Sequence, residues 1–539
     1  MPDGLYQIPT PVNEPVKTYA PSTPERARVV ETIARFEKET LEIPVLAGSE
    51  EIYTGTKVPV VMPHAHKHVI ANVVQSTTAD VEKAIAGSLR VAKEWARVPF
   101  EERAAIFLRA ADLLAGPWRE RINAAAMLGQ SKTVHQSEID AVCELVDFLK
   151  FNVHFAQRLH AEQPISAPGM WNRSEYRPLE GFVLAVTPFN FLSIGVNLAA
   201  VPALLGNVVL WKPSNTAAFG SWLCLQMLRE AGLPDGVISF IPGDGATQGD
   251  ACLKSPHLAG INFTGSTRTF RHLWKGVAER LDTYRSFPRL VGETGGKDFI
   301  VAHSSADATA LATATVRGGF EYQGQKCSAA SRIYVPKSLW PRVRDEAVAM
   351  ISTIRVGDVR DFSNFMGAVI DRPAFDRIKG YLELAKTTGK VLAGGTADDK
   401  EGFFVKPTLV EVADPKHRMM QEEIFGPVVT AWVYEDARYN ETLDLIDETS
   451  PYALTGAVFA RDRHAVLEAH SRLSQAAGNF YINDKPTGAV VGQQPFGGGR
   501  ASGTNDKAGS LWNLIRWASP RTIKETFVPP TDYRYPYMG

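Results

Sequence analysis

Apolar residues recur at helical spacing in the stretch that begins near Thr77. The repeat of three and four places one set of side chains on a single helix face: Val81, Ile85, Leu89, Ala92 and Trp95. A second helix is predicted over 104–115, because Gly116-Pro117 is a typical helix end. The same pattern continues through residues 120–160, so the chain from about Thr77 to residue 160 is predicted to be mainly helical.

The pattern changes near residue 181 to short apolar runs rich in β-branched and aromatic residues. These runs predict strands at GFVLAVTPFN (181–190), NVVLWKPS (207–214), GVISFIPG (236–243) and LAGINFTGS (258–266). Between them lie segments of helical length, such as 217–232. A second stretch of this kind begins near Leu290 and runs to GNFYIND (478–484). The alternation predicts an α/β fold with mostly parallel sheets covered on both faces.

The two ends of the chain differ from this pattern. The first 25 residues are rich in proline and predict an arm on the surface. The stretch after about Gly499 is rich in glycine, aromatic residues and proline. From composition alone, an exposed tail is favoured there over a segment that docks on a neighbouring subunit.

Composition and charge exclude several classes of function. A formal net charge of −1 over 539 residues argues against a generally basic nucleic-acid-binding surface. The four cysteines form no CxxC pair or zinc-like spacing, which predicts a thiol-reducing compartment and no metal. No apolar run reaches the roughly 18 residues of a membrane span, and no signal or transit peptide is recognisable. We therefore expect a cytoplasmic protein, with the mitochondrial matrix as the alternative only if a presequence is missing from this sequence.

Several short segments carry residues suited to chemistry. Cys327 lies in EYQGQKCSAASR (321–332), although a lone free cysteine more often packs as a small hydrophobe. FTGST (263–267) ends a strand and begins a helix, which suits either a bound phosphate or an ordinary N-cap. GDGATQG (243–249) lacks the GxGxxG spacing and is interpreted as a plain glycine-rich turn. Asn190 in TPFNF, Glu293 in ETGGK, and Glu423 with Phe425 in EEIFGPV each have a structural interpretation when taken alone.

Taken together, TPFNF, WKPS, FTGS, ETGGK, GQKCSA and EEIFGPV resemble the NAD(P)-dependent aldehyde dehydrogenase superfamily in order and spacing. The segments 129–148 and 480–509 and the ending SPRTIKETF resemble the branch that oxidises L-glutamate γ-semialdehyde. This resemblance implies an aldehyde dehydrogenase fold with a Rossmann-like cofactor domain (1–159 and 181–292, with 1–40 as an arm). It also implies a second α/β catalytic domain (293–499) and a small oligomerisation element (160–180 and 500–539).

The resemblance implies a covalent mechanism centred on a thiol. Cys327 is the implied nucleophile, and the Asn190 amide and the Cys327 backbone N–H are the donors to the developing oxyanion. Glu293 is the implied base that activates water to hydrolyse a thioester. A free thiol has a pKa near 8.5, so only a few per cent is thiolate at neutral pH unless neighbouring charge or backbone dipoles lower that pKa. Lys326 is adjacent in sequence, but adjacent side chains often point apart.

The same resemblance implies NAD as the cofactor. Its implied binding residues are Thr187, Lys212, Gly265, Ser266, Glu423 and Phe425. Lys212 and Glu423 would hold the riboses, the Gly265-Ser266 helix start the pyrophosphate, and Phe425 would line the nicotinamide side. Asn215 stands where many NAD-preferring members have glutamate, and a neutral amide does not repel a 2′-phosphate, so use of NADP is left open.

For the substrate, the resemblance implies a small amino acid semialdehyde. Ser328 and the backbone of Gly488 and Ala489 would bind its carboxylate, Glu144 its ammonium group, and Phe191 and Phe496 would flank its carbon chain. Relatives often have serine at the position of Ala489, which weakens the match. Glu144 alone has a second interpretation as a solvated helix residue, and the phenylalanines as core residues.

Two alternatives stay open at this point. The chain could oxidise another semialdehyde or an aliphatic aldehyde, or it could be a binding protein that has lost catalysis. The presence of Cys327, Asn190 and Glu293 disfavours the second. The implied partners are the small-molecule substrate, a second copy of the chain in a homodimer or an assembly of dimers, and a proline dehydrogenase in transient contact. No nucleic acid and no membrane span are expected.

Overall fold

The computed structural model describes residue 4 and residues 6–539. Up to residue 293 the strands are β1 Leu41–Ile43, β2 Val45–Ala47, β3 Glu50–Ile52, β4 Lys57–Met62, β5 Ala65–Val74, β6 Met170–Arg177, β7 Phe182–Val186, β8 Val208–Lys212, β9 Ile238–Phe240, β10 Leu258–Thr264 and β11 Arg289–Glu293. The α-helices in the same part are α1 Pro24–Phe36, α2 Thr78–Arg97, α3 Phe100–Ala115, α4 Arg119–Gln130, α5 Val134–Ser137, α6 Glu144–Ala161, α7 Leu192–Leu204, α8 Ala218–Glu230, α9 Gly245–Lys254 and α10 Thr267–Ala278.

After residue 293 the strands are β12 Asp298–Ala302, β13 Ala330–Pro336, β14 Lys390–Ala393, β15 Ala397–Asp398, β16 Phe404–Val405, β17 Thr408–Glu411, β18 Val428–Tyr434, β19 Tyr452–Ala453, β20 Thr455–Phe459, β21 Asn479–Ile482, β22 Gly499–Arg500 and β23 Ser519–Thr526. The α-helices are α11 Ala308–Phe320, α12 Trp340–Thr353, α13 Arg372–Thr388, α14 Arg418–Gln421, α15 Tyr439–Thr449, α16 Arg463–Arg472 and α17 Leu511–Ile515. The predicted strands at 181–266 correspond to β7, β8, β9 and β10, and the helix predicted from Thr77 is α2.

The first large sheet has the strand order β11-β10-β7-β8-β9-β2-β3. Strands β7 to β11 run parallel, and β2 and β3 extend the sheet in antiparallel fashion at one edge. The chain proceeds outward from β7 through β8 to β9 and then returns to the other side of β7 with β10. This reversal creates a crevice at the carboxyl ends of β7 and β10, which is where open α/β sheets bind ligands.

The second large sheet has the order β14-β17-β18-β13-β12-β20-β21 and is parallel except for the edge strand β14. Its two faces are covered by separate apolar clusters of buried side chains. The first sheet ends at Glu293 and the second begins at Asp298, so the segment between them joins the two sheets.

The chain ends are more structured than their composition predicts. Strand β23 pairs with β6 over eight residues, from Ser519 opposite Arg177 to Thr526 opposite Met170. Trp517, just before β23, is fully buried. The interpretation of the whole stretch after Gly499 as an exposed tail is therefore wrong, because β6 offers backbone groups that β23 satisfies. Trp512 is exposed on α17, and further exposed aromatic residues follow β23 from Phe527 onward.

The N-terminal arm, here residues 6–20, lies against helices of the first half of the chain and is partly buried. Tyr19 is 2% exposed, and polar contacts along the arm reach helices α4 and α6. Among the described residues, none of the helices combines the length and the apolar character that crossing a membrane requires.

Candidate active site

A cavity of about 900 Å³ occupies the crevice at the carboxyl ends of β7 and β10. Every residue predicted to bind the cofactor lines it, and so do Asn190 and Cys327: the cofactor set is Thr187, Lys212, Gly265, Ser266, Glu423 and Phe425. These residues come from both sheets. The structure thus brings together segments that are more than two hundred positions apart in the chain.

Lys212 ends β8 and Thr187 follows the neighbouring strand β7, and both residues line the cavity. The Thr187 backbone N–H donates to the Lys212 carbonyl at 3.1 Å, and Trp211 Nε1 donates to Thr187 Oγ1 at 2.9 Å. Burial lowers the pKa of the Lys212 ammonium to about 8. A buried amine at this place is suited to hydrogen bonds with ribose hydroxyls.

Helix α10 begins at the same crevice. Ser266 is its N-cap, and the serine Oγ accepts a hydrogen bond from the Thr269 N–H at 3.2 Å. Gly265 connects this helix start to the neighbouring strand, since its N–H donates to the Glu293 carbonyl at 3.1 Å. The positive end of a helix of this length attracts phosphate groups.

Glu423 and Phe425 close the cavity from the second sheet. Glu423 Oε1 accepts from the Gly296 N–H at 3.0 Å, and a Cβ atom at Gly295 would lie 2.2 Å from the same carboxylate. Burial raises the pKa of Glu423 to about 7. The Phe425 ring meets Phe189 edge to face at 5.7 Å.

These features fit a bound dinucleotide. The Lys212 amine and the Glu423 carboxylate can form hydrogen bonds with the hydroxyls of two riboses, and the start of α10 can bind a pyrophosphate. Asn215, whose position bears on the choice between NAD and NADP, donates from Nδ2 to Gln75 Oε1 at 2.9 Å.

Several lining residues were missed by the sequence interpretation. GDGATQG supplies Asp244, Gly245, Gln248 and Gly249 to the cavity, so its interpretation as a plain turn is incomplete. Its position after β9 was the available signal. Arg268, His272 and Arg377 also line the cavity, and no motif in the sequence pointed to them.

Cys327 lies just before β13, after a tight turn in which Tyr322 and Gln323 have φ values of 50° and 55°. The segment before β12 approaches it closely. A Cβ atom at Gly296 would lie 2.4 Å from the Cys327 carbonyl oxygen, which explains the glycine there. Cys327 is partly exposed and lines the cavity.

The pKa of the Cys327 thiol is raised well above its ordinary value. Desolvation by the surrounding protein is the main cause, followed by the carboxyl groups of Asp298 and Glu293. The adjacent Lys326 does not offset these effects, because its Nζ lies 3.3 Å from Asp140 Oδ2 and pairs with that carboxylate.

Asn190 is 4% exposed and held next to the Cys327 turn. Its Nδ2 donates to the Gln325 carbonyl at 3.0 Å, and Gln325 Oε1 in turn accepts from the Ile370 N–H at 2.9 Å. An amide nitrogen carries two N–H groups, so one of them is left for an oxyanion.

Glu293 ends β11, and its Oε2 accepts a hydrogen bond from the Gly498 N–H at 3.3 Å. Burial raises the pKa of this carboxyl well above its ordinary value, while the Gly498 N–H and Lys507 act in the opposite direction.

The predicted substrate residues and Glu293 are not among the residues that line this cavity. One of the predicted substrate residues, Ser328, is the neighbour of Cys327 in the chain and contacts the loop that contains two others. Ser328 Oγ is 2.8 Å from Thr487 Oγ1, which joins the cysteine segment to the loop of Gly488 and Ala489. Gly488 has a φ of +98°, a value that favours glycine. Phe496 is partly buried and pairs with Ala508 through two backbone hydrogen bonds.

Glu144 begins helix α6, immediately after a π-helical turn at Glu138–Cys143. Ser193 Oγ donates to its Oε2. Burial and the neighbouring Asp140 carboxylate raise the pKa of Glu144 to about 8. The carboxyl is not on a solvated helix face, so that interpretation is wrong.

A buried charge cluster missed by the sequence interpretation lies beside Glu144. Lys132 Nζ donates to Asp140 Oδ2 at 2.6 Å, and Lys326 approaches the same carboxylate. Phe191 packs against both ammonium groups, at 4.4 Å from Lys132 and 5.8 Å from Lys326. No local sequence pattern marks this cluster, because Lys132 and Lys326 lie far apart in the chain.

No group of three or more metal-ligating side chains occurs in the part of the chain that the structure describes.

Comparison with known proteins agrees with this geometry. Residues 52–523 match the aldehyde dehydrogenase family. The delta-1-pyrroline-5-carboxylate dehydrogenase of Mycobacterium tuberculosis bound with NAD has 54% sequence identity and a TM-score of 0.96, covering 100% of both chains. The mitochondrial delta-1-pyrroline-5-carboxylate dehydrogenases of Dictyostelium discoideum and Mus musculus are 50% and 51% identical. Each comparison covers 98% of this chain, and 96% and 94% of the respective relative.

The prediction of a cytoplasmic location is wrong by this comparison, since these eukaryotic relatives are named mitochondrial. The absence of a recognisable presequence was insufficient ground for it.

The family match covers most of the chain, and the solved relative matches it over its full length. The predicted fold class, with a Rossmann-like cofactor sheet and a second α/β sheet, is confirmed. The chain belongs to the aldehyde dehydrogenase family.

Proposed function

We propose that this chain oxidises L-glutamate γ-semialdehyde, the open form of delta-1-pyrroline-5-carboxylate, to L-glutamate with NAD, the second step of proline catabolism. The observation that carries the proposal is the position of Cys327 and Asn190 on the lining of the cofactor cavity. Glu144 is one of the carboxyl groups that raise the pKa of the Cys327 thiol. Relatives of about half identical sequence carry this activity in their names.

In the proposed mechanism, the Cys327 sulfur forms a bond to the aldehyde carbon and the carbonyl oxygen becomes negatively charged. The Asn190 amide and the Cys327 backbone N–H donate to that oxygen. Preorganised donors of this kind are commonly worth about a hundredfold or more in rate. Since the raised pKa keeps the thiol neutral at rest, the thiol proton passes to a water molecule as the sulfur bonds to the carbon.

NAD, when bound, supplies the acceptor for the hydride of the aldehyde carbon. The carbon is then held as a thioester on Cys327. Glu293 removes a proton from a water molecule that adds to the thioester, and the sulfur leaves as the free cysteine. The product is a carboxylic acid.

An amino acid semialdehyde brings two charges into the site, and each needs a partner because desolvating an unpaired charge costs several kcal/mol. Glu144 is suited to the ammonium group. The hydroxyl of Ser328 and the backbone N–H groups of Gly488 and Ala489 are suited to the carboxylate. Phe191 and Phe496 would flank the carbon chain.

We expect the enzyme to prefer this substrate over aldehydes that lack one or both charged groups. Two charge-assisted contacts predict a kcat/KM at least about 100-fold higher than for succinate semialdehyde or propanal. The measurement is steady-state formation of NADH with each aldehyde. Equal efficiency for all three would refute the substrate assignment and favour a general aldehyde dehydrogenase.

Glu144 should make substrate binding depend on pH. Its pKa is raised to about 8, so the ionised form that pairs with an ammonium group increases as pH rises from 6 to 8. We expect the KM for the semialdehyde to fall over this interval, relative to the KM for propanal. Glu144→Gln should raise the KM about tenfold and remove the difference in pH dependence between the two aldehydes. A Glu144→Gln variant with an unchanged pH profile would contradict the role.

We also propose that the chain works as a homodimer or an assembly of dimers. The exposed side chains of Trp171 on β6 and of Phe527 and Val528 after β23 support this proposal, since exposed apolar groups at one place favour association. The domain boundaries, a contact with a proline dehydrogenase and use of NADP stay predictions.

A further inference from the structure

The N-terminal arm contacts two parts of the chain. In the proposed function, one of them binds the ammonium group of the substrate and the other binds its carboxylate. One is helix α6, which begins at Glu144. The other is the loop 487–494, which contains Gly488 and Ala489. Residues 6–20 contact both, although they are more than one hundred positions away from the first and more than four hundred from the second.

Asn13 makes the connection with a single side chain. Its Nδ2 donates to Asp147 Oδ2 at 2.8 Å and to the Val491 carbonyl, also at 2.8 Å. Its Oδ1 accepts from Gln493 Nε2 at 2.9 Å. Asp147 is 4% exposed and Val491 is 5% exposed. The amide therefore has both N–H groups and its oxygen engaged, on α6 at one side and on the loop at the other.

The position of Asp147 on α6 makes this connection relevant to Glu144. The two carboxylates are three residues apart, so they lie on the same side of the helix. Glu14, the next residue of the arm, donates its backbone N–H to Asp147 Oδ1 at 2.7 Å. Both oxygens of Asp147 are thus held by the arm.

The arm also holds the π-helical turn that precedes Glu144. Lys17 donates its backbone N–H to Glu138 Oε1 at 2.9 Å, and the Tyr19 hydroxyl donates to Glu138 Oε2 at 3.0 Å. Glu138 is the first residue of that turn. The start of α6 is therefore tied to the arm on both sides of Glu144.

The loop 487–494 is also hydrogen-bonded to the segment that contains Cys327. Thr487 meets Ser328, the neighbour of Cys327, and Gln494 Oε1 accepts from the Val490 N–H at 2.9 Å. The loop is fixed near Cys327 at its start, and Asn13 fixes it to α6 near its middle.

We propose that Asn13 is a positioning residue for substrate specificity. It sets the separation between Glu144 and the N–H groups of Gly488 and Ala489, so that an aldehyde carrying both an ammonium and a carboxylate group fits between them. This inference rests on the proposed function. It predicts that loss of the amide impairs recognition of the two charges and leaves the chemistry at Cys327 intact.

The test uses the full-length Asn13→Ala and Asn13→Asp variants, with Val12→Ala as the control. Val12 is the adjacent arm residue and is 76% exposed. Aspartate preserves the size of asparagine but donates no hydrogen bond to Asp147 or Val491 when ionised. The measurements are kcat and KM for L-glutamate γ-semialdehyde, for propanal and for NAD, together with the midpoint of thermal unfolding.

Both Asn13 variants should raise the KM for the semialdehyde about tenfold. The semialdehyde kcat, the kcat/KM for propanal and the KM for NAD should stay within about twofold, and Val12→Ala should match the parent enzyme. If Asn13→Ala does not yield folded protein, the isosteric Asn13→Asp variant decides the question.

An unchanged KM for the semialdehyde would overturn the inference, and so would an equal loss of efficiency with both aldehydes, which indicates a purely structural role. A parent enzyme that shows no preference for the semialdehyde would instead refute the proposed function, before any variant is compared.

Discussion

Cys327→Ala should abolish the reduction of NAD by the semialdehyde, with a loss of at least about 1,000-fold in kcat. The alanine side chain cannot form a bond to the aldehyde carbon, and Cys143, Cys224 and Cys252 are all buried away from solvent. The variant should retain its thermal unfolding midpoint and its affinity for NAD, because the thiol is one small part of the cavity lining.

The matched control is Cys224→Ala, which removes a buried thiol from helix α8 in the core of the first sheet. Its turnover should equal that of the parent enzyme. Mass spectrometry of the acid-quenched parent enzyme during turnover should find the acyl group on the peptide that contains Cys327. An acyl group on another peptide, or full turnover by Cys327→Ala, would refute the proposed nucleophile.

Glu293→Gln should separate the two halves of the reaction. The glutamine keeps the size of the side chain and can accept from the Gly498 N–H, but it cannot take a proton from water. The first turnover should produce about one NADH per active site, followed by a steady state slower by about 100- to 10,000-fold. Rapid-mixing absorbance at the NADH band measures both phases, and the thioester on Cys327 should accumulate.

The parent enzyme should show a matching dependence on pH. Since burial raises the pKa of Glu293 well above its ordinary value, its ionised fraction and hence the rate of thioester hydrolysis should increase with pH. Glu293→Gln should lose this part of the pH profile. Glu230→Gln, at the end of α8 and hydrogen-bonded to Trp118, is the control and should behave as the parent does. A Glu293→Gln variant without a burst would mean that the residue acts before or during hydride loss.

Much of the local structure follows from short-range patterns. The helix predicted from Thr77 begins there because Thr77 and Asp80 form a capping box. The strands at 181–266 were predicted within a few residues because buried parallel strands are short apolar runs bounded by turn residues. The tail was misjudged because pairing of β23 with β6 joins segments about 340 residues apart, which no local pattern records.

Some residues of the candidate site could also be named from the sequence, and others could not. The motif residues Thr187, Lys212 and Glu423 could be named from the sequence because their types and order resemble a known family. Lys132 and Asp140, which lie beside Phe191, could not be named from the sequence. They form a charge cluster only because Lys326, from a distant turn, contacts the same carboxylate in the folded protein.

The sequence by itself therefore determined the α/β class, the order of the elements and the identities of the thiol, amide and carboxyl groups. Only the tertiary structure decided the direction of their pKa shifts and their partners. The pKa values of Cys327, Glu293 and Glu144 are raised by burial, and burial depends on which remote segments pack around each group. The role of Asn13 depends on the same fact, since its three hydrogen-bond partners come together only when the arm, helix α6 and the 487–494 loop have folded against one another.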